Sequence, residues 1–281
     1  MQRLADIIPH SRADNLAQTY DPVESENKKA EWYNSTAGDL DKADGYNCPE
    51  CKNRGMIAVV VVRDGVPETI MQECKCKAVR SSIRQMKQSG LYDMAKRCTF
   101  DNYTTQEAWQ KEIKAKAMRF AKTPEGWLFL GGQPGAGKTH LGVATAVAIM
   151  HERKKDAKYF VWPDAIRGTW GNFDAYKAFV DEAKAAQLLY IDDLFKPVQD
   201  RGATKMPTAN EVESAFQILN YRYNKPGLHT IISCEFTVSE LCQIDEALGS
   251  RIIEATRGTD SCISIGKKPG RNYRLRGIGD I

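Results

Sequence analysis

Residues 132–139 have the types and the spacing of a loop that binds polyphosphate. The segment reads Gly-Gln-Pro-Gly-Ala-Gly-Lys-Thr and fits the pattern Gly-x4-Gly-Lys-[Ser/Thr] without a mismatch. Its glycines allow positive φ and bring backbone N–H groups close to phosphate oxygens. Lys138 offers a cation to the β- and γ-phosphates, and the Thr139 hydroxyl can bind Mg²⁺. We therefore predict a nucleoside triphosphate site formed by Gly132, Gln133, Pro134, Gly135, Ala136, Gly137, Lys138, Thr139 and His140.

Two acidic residues follow a second apolar segment, Gln-Leu-Leu-Tyr-Ile-Asp-Asp at 187–193. Phosphoryl-transfer ATPases place an Asp at such a strand end, where it holds Mg²⁺ beside the phosphate loop. Asp192 suits this role, and Asp193 is placed to polarise the attacking water. The alternative is that the two acids only cap the strand. The phosphate loop upstream favours the catalytic interpretation.

Further polar positions, at one strand end and at three arginines, are candidates for contact with the γ-phosphate. The segment His229–Glu235 is an apolar strand with a polar end, which would direct Ser233 to Glu235 at the phosphate or simply leave the sheet. Arg251 begins an apolar helical segment and is either a solvated helix end or an arginine finger that reaches a neighbouring subunit. Arg257 and Arg274 are weaker candidates for the same electrostatic role.

Four of the eight cysteines form a metal-ligand pattern. Cys48-x2-Cys51 and Cys74-x-Cys76 flank a predicted hairpin with an Asp64-Gly65 turn, the arrangement of a zinc ribbon. Four thiolates leave no open coordination position, so this zinc is predicted to be structural. The basic run that follows the cysteines is either a solvated helix face or a phosphate-contacting one.

The segment 161–173 interleaves aromatic and cationic residues, as nucleic-acid-binding segments do. We predict DNA contacts for Arg167, Trp170 and Lys177. Trp162 and Phe173 are predicted to lie in the core.

The elements that must position these residues alternate between strands and helices from Trp127 onward. The strand 127–130, the glycine loop and the Ala-rich helix 141–150 follow one another in the order that a phosphate site requires. This alternation predicts an α/β fold with a parallel sheet flanked by helices. The predicted domains are an arm over 1–45, a zinc-ribbon module over 46–79, a basic linker helix over 80–98 and an ATPase domain over 99–281.

Composition narrows the setting of the protein. A net charge of +4 is small for 281 residues, so a nucleic-acid contact requires local patches. The sequence shows neither an apolar run of about 18 residues that would span a membrane nor a secretory leader. The expected location is the bacterial cytoplasm.

Taken together, these motifs resemble the DnaC/DnaI-type AAA+ helicase-loader ATPases, phage-encoded versions included. The resemblance runs from Tyr46 to about Arg276. Besides the zinc ribbon and the phosphate loop, it is carried by Ser89-Gly90-Leu91, Thr99-Phe100-Asp101-Asn102-Tyr103, Ile191-Asp192-Asp193-Leu194, Leu219-Asn220-Tyr221-Arg222-Tyr223 and Leu248-Gly249-Ser250-Arg251.

The resemblance implies an AAA+ core that forms a ring or helical oligomer and brings a hexameric replicative helicase onto single-stranded DNA. It implies ATP, Mg²⁺ and Zn²⁺ as cofactors, Arg251 as a finger acting in trans, and Phe100 and Tyr103 beside the adenine. The segment from Trp162 to Lys177 would correspond to the DNA-facing element of the family. Members usually carry Asn at the sensor position that Glu235 occupies here. A role of the N-terminal arm in helicase binding is a hypothesis.

Two other functions remain open on the sequence. The first is an IstB-type transposition regulator, a related AAA+ ATPase that acts on duplex DNA. The second is a zinc-dependent nucleic-acid-binding module with an inactive ATPase core. A preference for duplex DNA would favour the first, and indifference to Lys138→Ala would favour the second.

Overall fold

The computed structural model describes residues 21–88, 90–153, 157–200, 203–256, 260–268 and 270–275. The chain divides into two compact units, Met1–Ser81 and Ser82–Ile281. Ser89, Arg257 and the first 20 residues of the predicted arm lie outside the described residues. The predicted domain boundaries stay a prediction.

The first unit is built around a two-stranded antiparallel hairpin. Its elements are α1 (Pro22–Ser35), α2 (Leu40–Asp44), β1 (Met56–Arg63) and β2 (Val66–Glu73), and α3 (Cys76–Gln88) starts in it. The two-residue turn Asp64-Gly65 has positive φ at both positions, which matches the right-handed twist of a hairpin. Helix α1 packs on both strands. Asn34 makes 2.9 Å hydrogen bonds with both the N–H and the carbonyl of Ala58 in β1, and Glu26 Oε2 accepts from the N–H and the hydroxyl of Thr69 in β2, at 3.1 and 2.7 Å. Residues 22–44 thus belong to the same compact unit as the cysteine module.

The second unit is a parallel sheet covered by helices on both faces, so the predicted fold class is confirmed. Its helices and strands are α4 (Tyr92–Ala95), α5 (Ala108–Lys122), β3 (Trp127–Gly132), α6 (Lys138–Arg153), β4 (Ala157–Val161), α7 (Trp162–Gly168), α8 (Phe173–Ala185), β5 (Leu188–Leu194), β6 (Val198–Asp200), β7 (Ala203–Lys205), α9 (Ala209–Tyr223), β8 (His229–Cys234), α10 (Val238–Ile244), α11 (Glu246–Ala255) and β9 (Cys262–Ile265), followed by a 3-10 turn at Tyr273–Leu275.

The five parallel strands lie in the order β4-β5-β8-β3-β9. Strand β3 lies between β8 and β9, so the phosphate loop leaves the interior of the sheet. The carboxyl ends of β3, β5 and β8 share one edge, and ligands bind at that edge in open parallel sheets.

Alternate residues of each central strand enter two separate cores. Leu128 and Leu130 of β3 pack with α5 and α6, whereas Trp127 and Phe129 pack with the helices of the opposite face. The period of two is that of a strand, and the continuous apolar run is typical of a strand buried on both faces.

Three elements of this unit were absent from the sequence prediction. Strand β9 is short and mixed in polarity, and only its Ile263 and Ile265 are buried. The sequence analysis therefore treated these residues as part of a C-terminal tail. Residues 162–168 form helix α7, for which the sequence analysis predicted no helix. The hairpin of β6 and β7 has three residues in each strand and no apolar pattern. Among the described residues, no helix combines the length and hydropathy needed to cross a bilayer.

Candidate functional site

The phosphate loop joins the end of β3 to the start of α6. Gly132, Gly135 and Gly137 all have positive φ, at 97°, 71° and 83°. Glycine is also required by packing, since a Cβ on Gly137 would lie 2.6 Å from the Tyr103 ring and one on Gly132 would collide with the carbonyl oxygen of Ile265. The loop therefore turns sharply and directs its N–H groups and the helix N-terminus toward one point.

Lys138 lies inside this loop. Its Nζ donates hydrogen bonds of 2.9 Å to the carbonyl oxygens of Gly132 and Gln133. Burial lowers the pKa of Lys138, and the nearby Glu235 opposes that shift. The ammonium is therefore held where a bound triphosphate would compete for it.

Asp192 receives hydrogen bonds from four side-chain hydroxyl groups. Its Oδ1 accepts from Thr139 Oγ1 at 3.1 Å, from Tyr190 OH at 3.1 Å and from Ser233 Oγ. Its Oδ2 accepts from Tyr159 OH at 3.0 Å. The pair of Thr139 and Asp192 is the arrangement that holds Mg²⁺ in phosphate-loop enzymes. The structure brings Thr139 and Asp192 together, and it adds two tyrosines that the sequence analysis did not name.

Burial raises the pKa of both tyrosines, and the charge of Asp192 adds to the shift. Both hydroxyls consequently stay protonated and act as donors to the carboxylate. Tyr190 is buried in the core, while Tyr159 is half-buried on the neighbouring strand.

Asp193 takes a backbone conformation that is rare for its residue type. Its φ is 55°, in the left-handed region, and such strain is common at functional sites. The turn directs its side chain into the cavity beside the phosphate loop, where Glu235 also lies. Its Oδ2 accepts a 2.6 Å hydrogen bond from Lys196 Nζ. This hydrogen bond, together with the carboxylate's charge, raises the pKa of Lys196.

A cavity of about 310 Å³ runs from the phosphate loop toward residues 102–110. Tyr103 lines it and donates from its hydroxyl to the Ala136 carbonyl at 3.1 Å, which supports the loop from below. Trp109 forms a further wall, with the Arg271 guanidinium 5.2 Å from its ring centroid. Phe100, expected beside the adenine, instead packs half-buried against the core.

Residues 266–268 and 270–275 cover the loop from the other side. Tyr273 N–H donates to the Gly135 carbonyl at 3.0 Å, and Lys268 N–H donates to Gln133 Oε1 at 3.1 Å. Arg274, a predicted contact residue, lines the cavity together with Arg271 and Tyr273. Sequence reasoning missed the last two, although the run Arg271-Asn272-Tyr273-Arg274 offered a signal in its two cations. Within the loop, Gln133 Nε2 donates to the Pro134 carbonyl oxygen at 3.3 Å. At the start of α6, His140 Nε2 lies 2.7 Å from the Thr99 carbonyl oxygen.

Arg251 is absent from the lining of this cavity. It lies on α11, where its Nε donates to Asn220 Oδ1 at 2.9 Å and its Nη1 donates to the Ala247 carbonyl at 2.7 Å. The structure does not bring Arg251 to the phosphate loop of its own chain.

The four cysteines of the first unit come together as a metal site. All four are buried, and their sulfur atoms lie within 4.8 Å of one another. Zn–S bonds of about 2.3 Å in a tetrahedron place the sulfurs about 3.8 Å apart. The Cys48–Cys74 and Cys51–Cys76 sulfurs are 3.8 and 3.5 Å apart. The donor set fits a tetrathiolate zinc ion.

Arg80 supports that fit from the first turns of α3. This side chain is buried and donates to both Asp44 carboxylate oxygens, at 2.6 and 2.7 Å. Its Nε is buried without a geometric hydrogen-bond partner, and the guanidinium lies close to Cys76. A tetrathiolate zinc site carries negative charge, and a cationic N–H group next to one of its thiolates would stabilise that charge. The sequence analysis left two alternatives for the basic run, a solvated helix face or a phosphate-contacting one. Because its side chain is buried, Arg80 fits neither of them.

The predicted DNA residues lie on one exposed segment. Arg167 and Lys177 are exposed, and Trp170 has 72% of its surface exposed. Trp162 is buried, as predicted. Phe173, predicted to be core, is 77% exposed: it is the first residue of α8, directly after the Asn172 cap, where its ring extends from the helix end.

No family model matches the chain. A crystal structure of the DnaC helicase loader is similar to it, with 22% identity, a TM-score of 0.48, and coverage of 62% of this chain and 99% of the other. An uncharacterized protein of Bacillus subtilis (strain 168), YqaM, is 28% identical over 277 aligned positions, which cover 82% of this chain and 86% of that protein.

A second Bacillus subtilis (strain 168) protein is more similar in sequence. The phage-like element PBSX protein XkdC is 32% identical over 248 aligned positions, which cover 84% of this chain and 89% of XkdC. Identity at this level across most of both chains establishes the family. The chain belongs to the family of the phage-like element PBSX protein XkdC.

Proposed function

We propose that this protein is an Mg²⁺-dependent ATPase that binds a hexameric replicative DNA helicase and delivers it onto single-stranded DNA. The observation that carries the ATPase part is the convergence of Lys138, Thr139 and Asp193 on one cavity at the carboxyl edge of the sheet, with Asp192 hydrogen-bonded to Thr139 behind it. The loader part rests on the specific motifs that accompany the phosphate loop in the sequence.

The residues divide the chemistry among them. The loop N–H groups and Lys138 bind the β- and γ-phosphates, and Thr139 with Asp192 holds Mg²⁺. Bound Mg²⁺ neutralises charge on the phosphate oxygens. Asp193 orients and deprotonates the attacking water, and Lys196 fixes its carboxylate. Glu235 lies near Lys138, at the position where DnaC/DnaI-type loaders usually carry Asn. This exchange of an amide for a carboxylate favours slow turnover and a switch-like use of ATP.

The position of Arg251 away from its own cavity supports assembly. A finger that acts in trans makes hydrolysis depend on the neighbouring copy, so ATP is bound between subunits. We infer a ring or helical oligomer whose nucleotide state sets its hold on the helicase.

The central test combines the protein with candidate replicative helicases, with and without ATP and Mg²⁺, and measures complex mass by light scattering. We expect a complex whose stability depends on nucleotide and which Lys138→Ala alters. Lack of binding to every helicase in every nucleotide state would contradict the loader function. A strong preference for duplex over single-stranded DNA would instead favour a transposition regulator of the IstB type.

We assign single-stranded DNA contact to the exposed segment around α7 and α8. Trp170 and Phe173 are exposed aromatic side chains three positions apart, flanked by Arg167 and Lys177. Unpaired bases stack on aromatic rings while cations bind the backbone. Phe173 thereby joins the residues predicted from the sequence.

Trp170→Ala is expected to weaken binding of a labelled oligonucleotide by about 1–3 kcal/mol, the value of one base stack. Fluorescence anisotropy measures the affinity. Trp32→Ala is the matched control, because Trp32 is similarly exposed in the other unit. Equal affinities for the two variants would remove the DNA role of this segment.

A further inference from the structure

The sequence motif around Asn220 does not line the nucleotide cavity. Three side chains of the helix that carries this motif instead contact Arg251. Phe216, Asn220 and Tyr223 stand four and then three positions apart on α9, so they share one face of that helix. This face packs on α11, which carries Arg251.

Each of the three residues contacts the Arg251 side chain in a different way. Asn220 Oδ1 accepts from its Nε at 2.9 Å. The guanidinium carbon lies 4.9 Å from the Phe216 ring centroid and 5.9 Å from that of Tyr223. Tyr223 is itself hydrogen-bonded to Glu254, one turn along α11 from Arg251.

These contacts restrict a side chain that is otherwise flexible. A free Arg side chain loses much of its rotamer freedom when it is ordered, which is unfavourable unless its contacts offset the loss. With Nε held by Asn220 and Nη1 held by Ala247, the plane of the guanidinium is fixed. Nη2 has no hydrogen-bond partner among the residues that the structure describes, so two donors remain for an anion.

The acceptor at position 220 is neutral, and this matters for the charge that Arg251 presents. An Asp at this position would form an ion pair and oppose the attraction of the guanidinium for a phosphate. The Asn amide oxygen fixes the geometry and leaves the positive charge uncompensated. No carboxylate forms an ion pair with Arg251 within the described ranges.

We propose that Asn220, with the Phe216 and Tyr223 rings, is the positioning residue that presents Arg251 to the γ-phosphate bound by a neighbouring copy of this chain. This inference rests on the proposed ATPase function and on Arg251 acting in trans. It also explains the sequence motif: Asn220 and Tyr223 face Arg251, whereas Arg222 between them faces the core.

The first test compares steady-state ATP hydrolysis by three variants. Arg251→Ala is expected to lower kcat by about 100-fold or more, as loss of an arginine finger does. Asn220→Ala should lower kcat roughly tenfold, the effect of losing one hydrogen bond to a charged group. Its KM for ATP should stay within about twofold, because the phosphate loop of its own chain is intact. Asn210→Ala, an exposed Asn on the same helix, is the matched control and should match the unmodified protein.

Asn220→Asp separates positioning from simple support of the fold. It keeps the acceptor and the packing but adds a charge beside Arg251, so kcat should fall at least as far as in Asn220→Ala. A kcat equal to that of the unmodified protein would overturn the role of the neutral acceptor.

The decisive experiment mixes subunits. The Asn220→Ala variant keeps an intact nucleotide site. The Asp193→Asn variant keeps Arg251 together with Phe216, Asn220 and Tyr223 around it. If Asn220 acts through the neighbour's site, the mixture contains complete interfaces and hydrolyses ATP faster than the sum of the two variants alone. Absence of any gain would show that Asn220 supports only its own chain, and the inference would be wrong.

The trans-acting role of Arg251 and the positioning role of Asn220 can be refuted separately. If Arg251→Ala hydrolyses ATP normally, the trans-acting arginine of the proposed function is wrong. If Arg251→Ala is impaired while Asn220→Ala has an unchanged kcat, the proposed function stands and the positioning role is refuted.

Discussion

Asp192 shows how one residue can be predicted while its surroundings cannot. An apolar strand that ends in two acids identified its position in the sequence. Three of its four hydroxyl donors, Thr139, Tyr159 and Ser233, lie on other elements 53, 33 and 41 positions away. The order β4-β5-β8 brings Tyr159 and Ser233 to Asp192, and that order is a property of the fold.

Tyr159→Phe tests whether these donors matter for chemistry. Removing the hydroxyl frees Asp192 Oδ2, so the carboxylate should hold Mg²⁺ less firmly. Loss of an outer hydrogen bond of this kind typically lowers metal affinity or activity by about 10-fold or more. A titration of ATP hydrolysis with Mg²⁺ measures this effect. Tyr176→Phe, whose hydroxyl lies 3.2 Å from Ser214, is the control, and equal Mg²⁺ requirements would contradict the prediction.

Gly142→Ala should destabilise the second unit although Ala favours helices. A Cβ at Gly142 would lie 2.5 Å from the hydroxyl oxygen of the buried Tyr190. We expect a loss of about 1–3 kcal/mol from this overpacking, which urea unfolding would measure. Gly168→Ala has nothing within 4 Å of its new Cβ, and it should leave stability unchanged or slightly higher. Similar unfolding midpoints for the two variants would contradict the packing argument.

At the scale of whole elements, Arg222 joins three of them. This side chain is only 1% exposed and lies on α9. It donates to the carbonyl oxygens of Ala183 and Ala186 at the end of α8, at 3.0 and 2.7 Å, and to that of His229 in β8 at 2.6 Å. Burial lowers the pKa of Arg222 to about 10. A cation at a helix C-terminus is also favoured by the helix dipole.

Arg222→Met should remove these bonds and leave several buried carbonyl groups without donors. Each unsatisfied group costs about 1–3 kcal/mol, so we expect a loss of at least about 3 kcal/mol. Arg222→Lys should restore little of it, because one ammonium cannot reproduce the planar fork. Calorimetric or urea unfolding distinguishes the three proteins, and a Lys variant as stable as the original would contradict the fork geometry.

Helices and central strands of this unit followed from the sequence because their apolar periodicity is strong. Strands β3, β5 and β8 lie where continuous apolar runs predicted them. Strand β9 and helix α7 were missed because their side-chain patterns are short and mixed, and the pairing of β9 with β3 forms over a long separation in sequence. Phe173 was misplaced because a hydrophobic residue type does not show which way a helix end faces.

At the scale of the molecule, the first unit should depend on its metal. Its hairpin has only two strands, and such a hairpin is marginally stable alone. We expect the purified protein to contain one zinc per chain, and a strong chelator to unfold the first unit while the second still binds a fluorescent ATP analogue. Elemental analysis and limited proteolysis would measure this. Cys74→Ser should have the same effect without chelator, and a metal-free first unit that resists proteolysis would contradict a structural zinc.

The place of β3 in the sheet has a consequence for the order of events during synthesis. β3 is the first strand of the sheet to leave the ribosome, yet its partners β8 and β9 begin only at His229 and Cys262. The cover over the phosphate loop, Arg271 to Arg274, emerges later still. The phosphate motif is therefore translated long before it has a sheet to support it. ATP in the cell cannot assist the early steps of folding, and a nascent chain stalled before residue 262 should fail to bind nucleotide.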